Sequence, residues 1–102
     1  MDEFLKIHGA LYDETRVKIL KFLLLSGAAC VCELQASFKM IQSRLSRHLK
    51  ILKEAGFVES TRKGKWCYYR IKENLDSYRA CELDQIKSLD IEIPKPTKEC
   101  SI

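Results

Sequence analysis

Between Gln42 and Ala55, leucines recur at three- and four-residue intervals (Leu45, Leu49, Leu52), with Arg44, Arg47 and Lys50 set between them. That spacing buries one stripe of an α-helix and leaves a cationic face in water. Gly56 is placed to stop the helix. The chain on either side narrows the choice of fold further. A very short helix is predicted from Cys32 to Ser37, followed by a tight connection through Phe38 to Ile41. After Gly56, Phe57–Arg62 and Trp66–Ile71 are β-prone runs joined by Lys63-Gly64-Lys65, the pattern of a hairpin with a basic tip.

Short helix, tight turn, amphipathic helix and basic hairpin is the order of a winged helix-turn-helix, mainly helical with one small β-hairpin. Further helices are predicted on both flanks. Phe4–Leu11 comes first, then Glu14–Leu25 with Asp13 as its cap and Val17, Leu20 and Leu24 as its buried stripe. The last helix runs from Leu75 to Leu89, with Leu75, Tyr78, Glu82, Ile86 and Leu89 near one face. With 102 residues there is room for one domain. Residues 1–90 are expected to form it, and residues 91–102, with Pro94 and Pro96, an extended or mobile tail. A core this thin favours pairing of two chains across an apolar helix face. One local rule is broken. Ile41 stands where the cap of helix Gln42–Ala55 should carry Ser, Thr, Asp or Asn, an omission costing about 1 kcal/mol.

Charge is unevenly spread. Residues 44–72 hold nine Lys or Arg against two acids, whereas residues 73–102 hold four against seven. A basic block that coincides with a helix and a hairpin points to a polyanion partner. The second helix of a helix-turn-helix presents its N-terminal residues to base edges in the major groove, here Gln42, Ser43, Ser46 and Arg47, with Arg44 beside them. Lys50, Arg62, Lys63 and Lys65 are expected at phosphates, supplying affinity and salt dependence.

The runs Asp13-Glu14-Thr15-Arg16, Cys30-Val31-Cys32-Glu33-Leu34, Gln42-Ser43-Arg44-Leu45-Ser46-Arg47-His48-Leu49 and Glu54-Ala55-Gly56-Phe57-Val58 fall in one order and spacing. Ahead lies a wing through Gly64-Lys65-Trp66 to Tyr68-Tyr69-Arg70. Together they resemble the ArsR/SmtB family of metalloregulatory repressors, over about residues 5–89. The resemblance implies a homodimer built on the first and last helices. It also implies a nearly two-fold symmetric operator of double-stranded DNA and repression lifted by an inducer.

Within that family, the arsenic- and cadmium/lead-sensing branches draw two ligands from the segment that matches Cys30-Val31-Cys32. Residues two apart point about 200° away from each other on an α-helix but share a face in extended chain. Chelation by both thiolates is therefore expected to pull the start of the helix Cys32–Ser37 out of shape. The helix N-terminus should favour the thiolate. One arsenic-sensing pattern places a further cysteine three residues beyond the second, where this chain has Gln35. Three candidates for a third ligand remain: Cys67 on a strand, Cys81 on the last helix, and Cys100 on the tail, which ranks first. Soft thiolates select soft ions. Trivalent arsenic or antimony is satisfied by three sulfurs, whereas zinc and cadmium usually want four ligands. The zinc- and cobalt-type site of other members needs His and Asp on the last helix, and the two histidines, His8 and His48, lie elsewhere.

The expected protein is thus a repressor released from its operator by As(III) or Sb(III), without an organic cofactor. Alternatives are a cadmium/lead sensor or a cysteine redox or persulfide switch. A thiol enzyme is disfavoured by the lack of a redox Cys-x-x-Cys pair, a nearby base and a glycine-rich cofactor loop. The longest apolar run, Ile19–Leu25, is broken by Lys21 and is too short for a membrane. Residues 1–6 lack a signal-peptide layout. Both point to the cytoplasm.

Overall fold

A computed structural model describes residues 1–96. In chain order it contains α1 (Asp2–Leu11), α2 (Glu14–Ser26), β1 (Ala29–Cys30), α3 (Val31–Phe38), α4 (Gln42–Glu54), β2 (Val58–Lys63), β3 (Trp66–Ile71) and α5 (Ser77–Ser88). Every predicted helix and the hairpin are present, with ends shifted by one or two residues. The addition is β1, which pairs antiparallel with β3 and completes a three-stranded sheet ordered β1-β3-β2. Its register sets Ala29 opposite Tyr69 and Cys30 opposite Tyr68. A two-residue strand leaves no alternation to read in a sequence.

Local chemistry explains the element ends. Asp13 is extended, and its carboxylate accepts the backbone N–H of Arg16 at 3.1 Å, capping α2. α3 closes on Lys39, a non-glycine residue in the left-handed region with φ 52°. α4 ends in a Schellman arrangement, with Gly56 N–H donating to Lys53 C=O and Phe57 N–H to Leu52 C=O. Gly56 supplies the φ of 86° that this needs.

Leu45, Leu49 and Leu52 are fully buried, as their spacing predicts, against Ile19, Leu20, Phe22, Leu34 and Phe57. α5 is rotated relative to expectation. Leu83 and Ile86 face the core, while Tyr78 and Leu89 are 40% and 44% exposed. The expected face mixed two stripes: Leu75 and Ile86 pack inward, but Tyr78 and Leu89 turn away. Residues 91–96 form no helix or strand, and Ile93 packs against the core. The remainder of the expected tail lies outside the described residues.

Two arginines hold α4 in place. On α2, Arg16 donates from Nε to Ala10 C=O at 2.9 Å and from Nη2 to Gly9 C=O at 3.2 Å, tying down the end of α1. Its Nη1 reaches His48 Nδ1 in α4 at 3.2 Å. A guanidinium only donates, so His48 Nδ1 accepts and the imidazole is neutral. At the other end of α4, Arg79 of α5 donates from Nε to Ala55 C=O at 2.7 Å. Its remaining nitrogens bind Asp76 at 3.0 Å and Glu3 of α1 at 2.7 Å. Arg79 lies so close to Gly56 that a Cβ there would meet its Nε at 2.8 Å.

Burial holds the His48 pKa below the ordinary 6.5, and the charges of Arg16, Arg44 and Arg47 add to this against the opposing pull of Asp13. A depressed histidine contributes stability that is complete above about pH 6.5 and is lost as pH falls through the folded-state value, because the unfolded chain takes up the proton first. The melting temperature is expected to decline from pH 7 to pH 5, with a shallower slope in His48→Asn; equal slopes would remove His48 from the account. Gly56→Ala combines a left-handed φ with the Arg79 collision and should cost at least about 1 kcal/mol in urea denaturation.

Candidate nucleic-acid interface and thiol pair

Burial of the leucine stripe decides which side of α4 is left over. Gln42, Ser43, Arg44, Ser46, Arg47 and Lys50 are all exposed, and together they form its outward face. His48 belongs to the inward side, at 9% exposure, as the packing residue expected of it. The first turn of α4 has no side-chain cap on Ile41, as anticipated.

The hairpin supplies the second cationic element. Gly64 adopts φ 63° in the turn that brings Lys63 opposite Trp66. Lys63 Nζ lies 5.8 Å from the Tyr68 ring centroid, and Lys65 Nζ lies 5.5 Å from that of Trp66. The rings restrain the two lysine stems while the side chains stay exposed. Arg62 is exposed on the same strand. Not every base in this block is available. Arg70 pairs with Glu59 at 2.7 Å and Glu73 at 3.5 Å, and Lys53 Nζ donates to Ser60 Oγ at 2.9 Å. Arg44, Arg47, Lys50, Arg62, Lys63 and Lys65 have no carboxylate within ion-pair distance among the described residues. An outward helix face and a hairpin tip with these cations can lie along a duplex backbone while short polar side chains reach base edges.

The cysteine pair sits where sheet and helix meet. Cys30 ends β1 and is the N-cap of α3, extended at φ −81° and ψ 159°. Cys32 is the second residue of α3. Because the chain is extended at Cys30 and turns helical only from Val31, the two Sγ atoms come within 3.1 Å. The two sulfurs are therefore already close before any ion is bound, where the expectation had chelation pulling the helix start out of shape. The helix begins one residue earlier than predicted, and the two sulfurs meet at its first turn.

Among the described residues, the other sulfurs, Cys67 and Cys81, are not gathered here. Cys30 stands opposite Tyr68 and shares its face of the sheet, whereas Cys67 alternates to the other face with Tyr69 and Ile71, which pack against the core. Cys81 is exposed on α5. Cys100 lies outside the described residues. Among the described residues no three His, Cys, Asp or Glu side chains are grouped to hold one ion. Cys32 borders an open groove shared with Gln35, Ala36, Lys39, Met40 and Ile41, which reaches the start of α4. Sequence reasoning missed this groove and the β1–β3 pairing. Both arise from contacts between segments that no local pattern encodes.

No helix among the described residues is long and apolar enough to cross a membrane. The model of bacterial regulatory proteins of the arsR family matches residues 13–60. The arsenical resistance operon repressor of Escherichia coli K12 is 33% identical over 81 residues, covering 79% of this chain and 69% of that protein. Among solved structures, the homodimeric winged helix-turn-helix DNA-binding domain of a possible ArsR-family regulator from Mycobacterium bovis superposes with a TM-score of 0.71. Its identity is 28%, over 84% of this chain and 76% of that one. The AntR antimony-specific transcriptional repressor gives 0.66 at 27% identity, over 82% and 73%. The chain belongs to the ArsR family and is a winged helix-turn-helix DNA-binding transcriptional regulator, not an enzyme.

Proposed function

We propose that this regulator is a cytoplasmic repressor that holds operator DNA as a homodimer and releases it when trivalent arsenic or antimony is captured by Cys30, Cys32 and a third thiolate, assigned to Cys100. The 3.1 Å approach of the two sulfurs carries the reading. With a metal–sulfur bond of roughly 2.3 Å, two thiolates on one ion lie about 3.3 Å apart at a right-angled pyramid and about 3.8 Å apart in a tetrahedron. The observed separation suits the pyramid. A bound soft ion would neutralise the thiolate charge and fix both sulfurs in one geometry. The arsenical and antimony repressors among the relatives support the same choice.

Gln42, Ser43, Arg44, Ser46 and Arg47 read the major groove in this account, and Lys50, Arg62, Lys63 and Lys65 grip phosphates. Dimerisation uses α1 and α5, where Phe4, Leu5, Tyr78 and Leu89 are between 40% and 58% exposed. Tyr78 Oη bonds His8 Nε2 across these helices, and Phe4 packs 4.3 Å from the His8 ring. Release follows from where the third ligand must come. The groove beside Cys32 is shared with Met40 and Ile41 at the start of α4, so a ligand added to Cys32 from that side would be felt there. Cys30 transmits the same event to β3 through its strand pairing.

A second reading has the same contact behind it, since sulfurs this near can also be oxidised to a disulfide, making the pair a redox switch. Operator release by peroxide with indifference to arsenite would favour it. Under the arsenic reading, Cys30→Ser and Cys32→Ser bind operator within about twofold of the parent yet resist arsenite in a fluorescence-anisotropy titration. Equal loss of DNA binding would make the pair structural. Cys100→Ser should weaken the arsenite response at least tenfold. Gln35→Cys, which puts a thiol one turn beyond Cys32 on the same groove, should restore it.

A further inference from the structure

Ile41 is unfavourable twice over within the isolated chain. It leaves the first turn of α4 without a side-chain cap, and it is 70% exposed, so packing does not compensate. Position 41 lies four residues before buried Leu45, so a continuing helix would hold its side chain over the core stripe. The extended backbone at ψ 154° takes it out of the helix instead. Of the other exposed large apolar residues, Met1, Phe4, Leu5, Tyr12, Tyr78 and Leu89 lie on or beside α1 and α5, and Leu25 lies near the end of α2. Ile41 stands apart from them, flanked by exposed Lys39, Gln42, Ser43 and Arg44.

An apolar side chain at the leading edge of a polar, cationic helix face fits one feature of duplex DNA. Each A·T pair displays the thymine 5-methyl group in the major groove, and apolar side chains recognise it. We propose that Ile41 is a specificity-determining residue that packs on a thymine methyl beside the bases reached by Gln42 and Ser43. This rests on the reading of α4 as the major-groove helix. Stability within the free chain is given up for a contact made only on DNA. Ile41 also borders the groove that holds Cys32, so this contact is the part of the DNA interface nearest the thiol pair.

The test uses the full chain and a duplex selected with it from a random-sequence library, in which each thymidine is replaced singly by deoxyuridine, which lacks only the methyl. The parent protein is expected to lose about four- to fifteenfold in affinity at one position per half-site, the equivalent of one or two buried methyl groups. Ile41→Ser should bind the unmodified duplex correspondingly more weakly, ignore that replacement, and melt at a higher temperature because serine caps α4. Identical deoxyuridine profiles for parent and Ile41→Ser would overturn the proposal. If Arg47→Ala still weakened binding in that case, the major-groove reading would stand while the Ile41 contact fell. A selection enriching no sequence would overturn both.

Discussion

The pairing of Ala29 and Cys30 with Tyr69 and Tyr68 is short, yet it sets the geometry of the thiol pair and its link to the hairpin. It ends one strand and begins α3 within a single residue, and that abrupt change of backbone brings Cys30 and Cys32 together. The same pairing joins the thiol pair to β3, the strand that carries Tyr68 and Trp66 and, through them, the hairpin lysines. On its other side, α3 leads through Lys39 to Ile41 and the exposed face of α4. Both cationic elements therefore have a covalent or hydrogen-bonded path to the sulfurs. These paths are a physical basis for coupling, which for binding sites of this kind is typically about 1–3 kcal/mol.

α4 is held firmly except at its start. Arg16 grips its middle through neutral His48, and Arg79 caps its C-terminal end through Ala55 while tying α1 and α5 together. Its N-terminus has no side-chain cap. A helix fixed at two points and loosely begun can respond at its first turn without unfolding. That first turn carries Gln42, Ser43 and Arg44, so the least constrained part of the helix coincides with the part expected to read bases.

The strong periodic elements were legible from the chain. The leucine stripe of α4, the cap at Asp13, the stop at Gly56 and the basic hairpin all follow from spacing and turn chemistry, and the structure contains each. The outward direction of the six expected DNA-contacting side chains on α4 follows from the same stripe, and Arg62, Lys63 and Lys65 are exposed on the hairpin. Contacts that depend on another segment could not be read. β1 is too short to show a pattern, the Arg16–His48 bond spans two helices, and the facing of α5 is settled by packing around Leu83. The thiol geometry was misjudged because a shift of one residue in the start of α3 turns Cys30 from a loop position into an N-cap. In the proposed mechanism, that shifts attention from the pair itself to the groove beside Cys32.

The central claim is that ion capture at Cys30 and Cys32 is felt in the sheet and at the start of α4. Amide hydrogen exchange of the intact protein, with and without arsenite, tests it most directly. The account predicts altered protection at residues 29–32, at 67–69 of β3 and in the first turn of α4, with little change around Leu49 and Leu52. Unchanged exchange at all of these amides, in protein that has bound arsenite and left its operator, would contradict it.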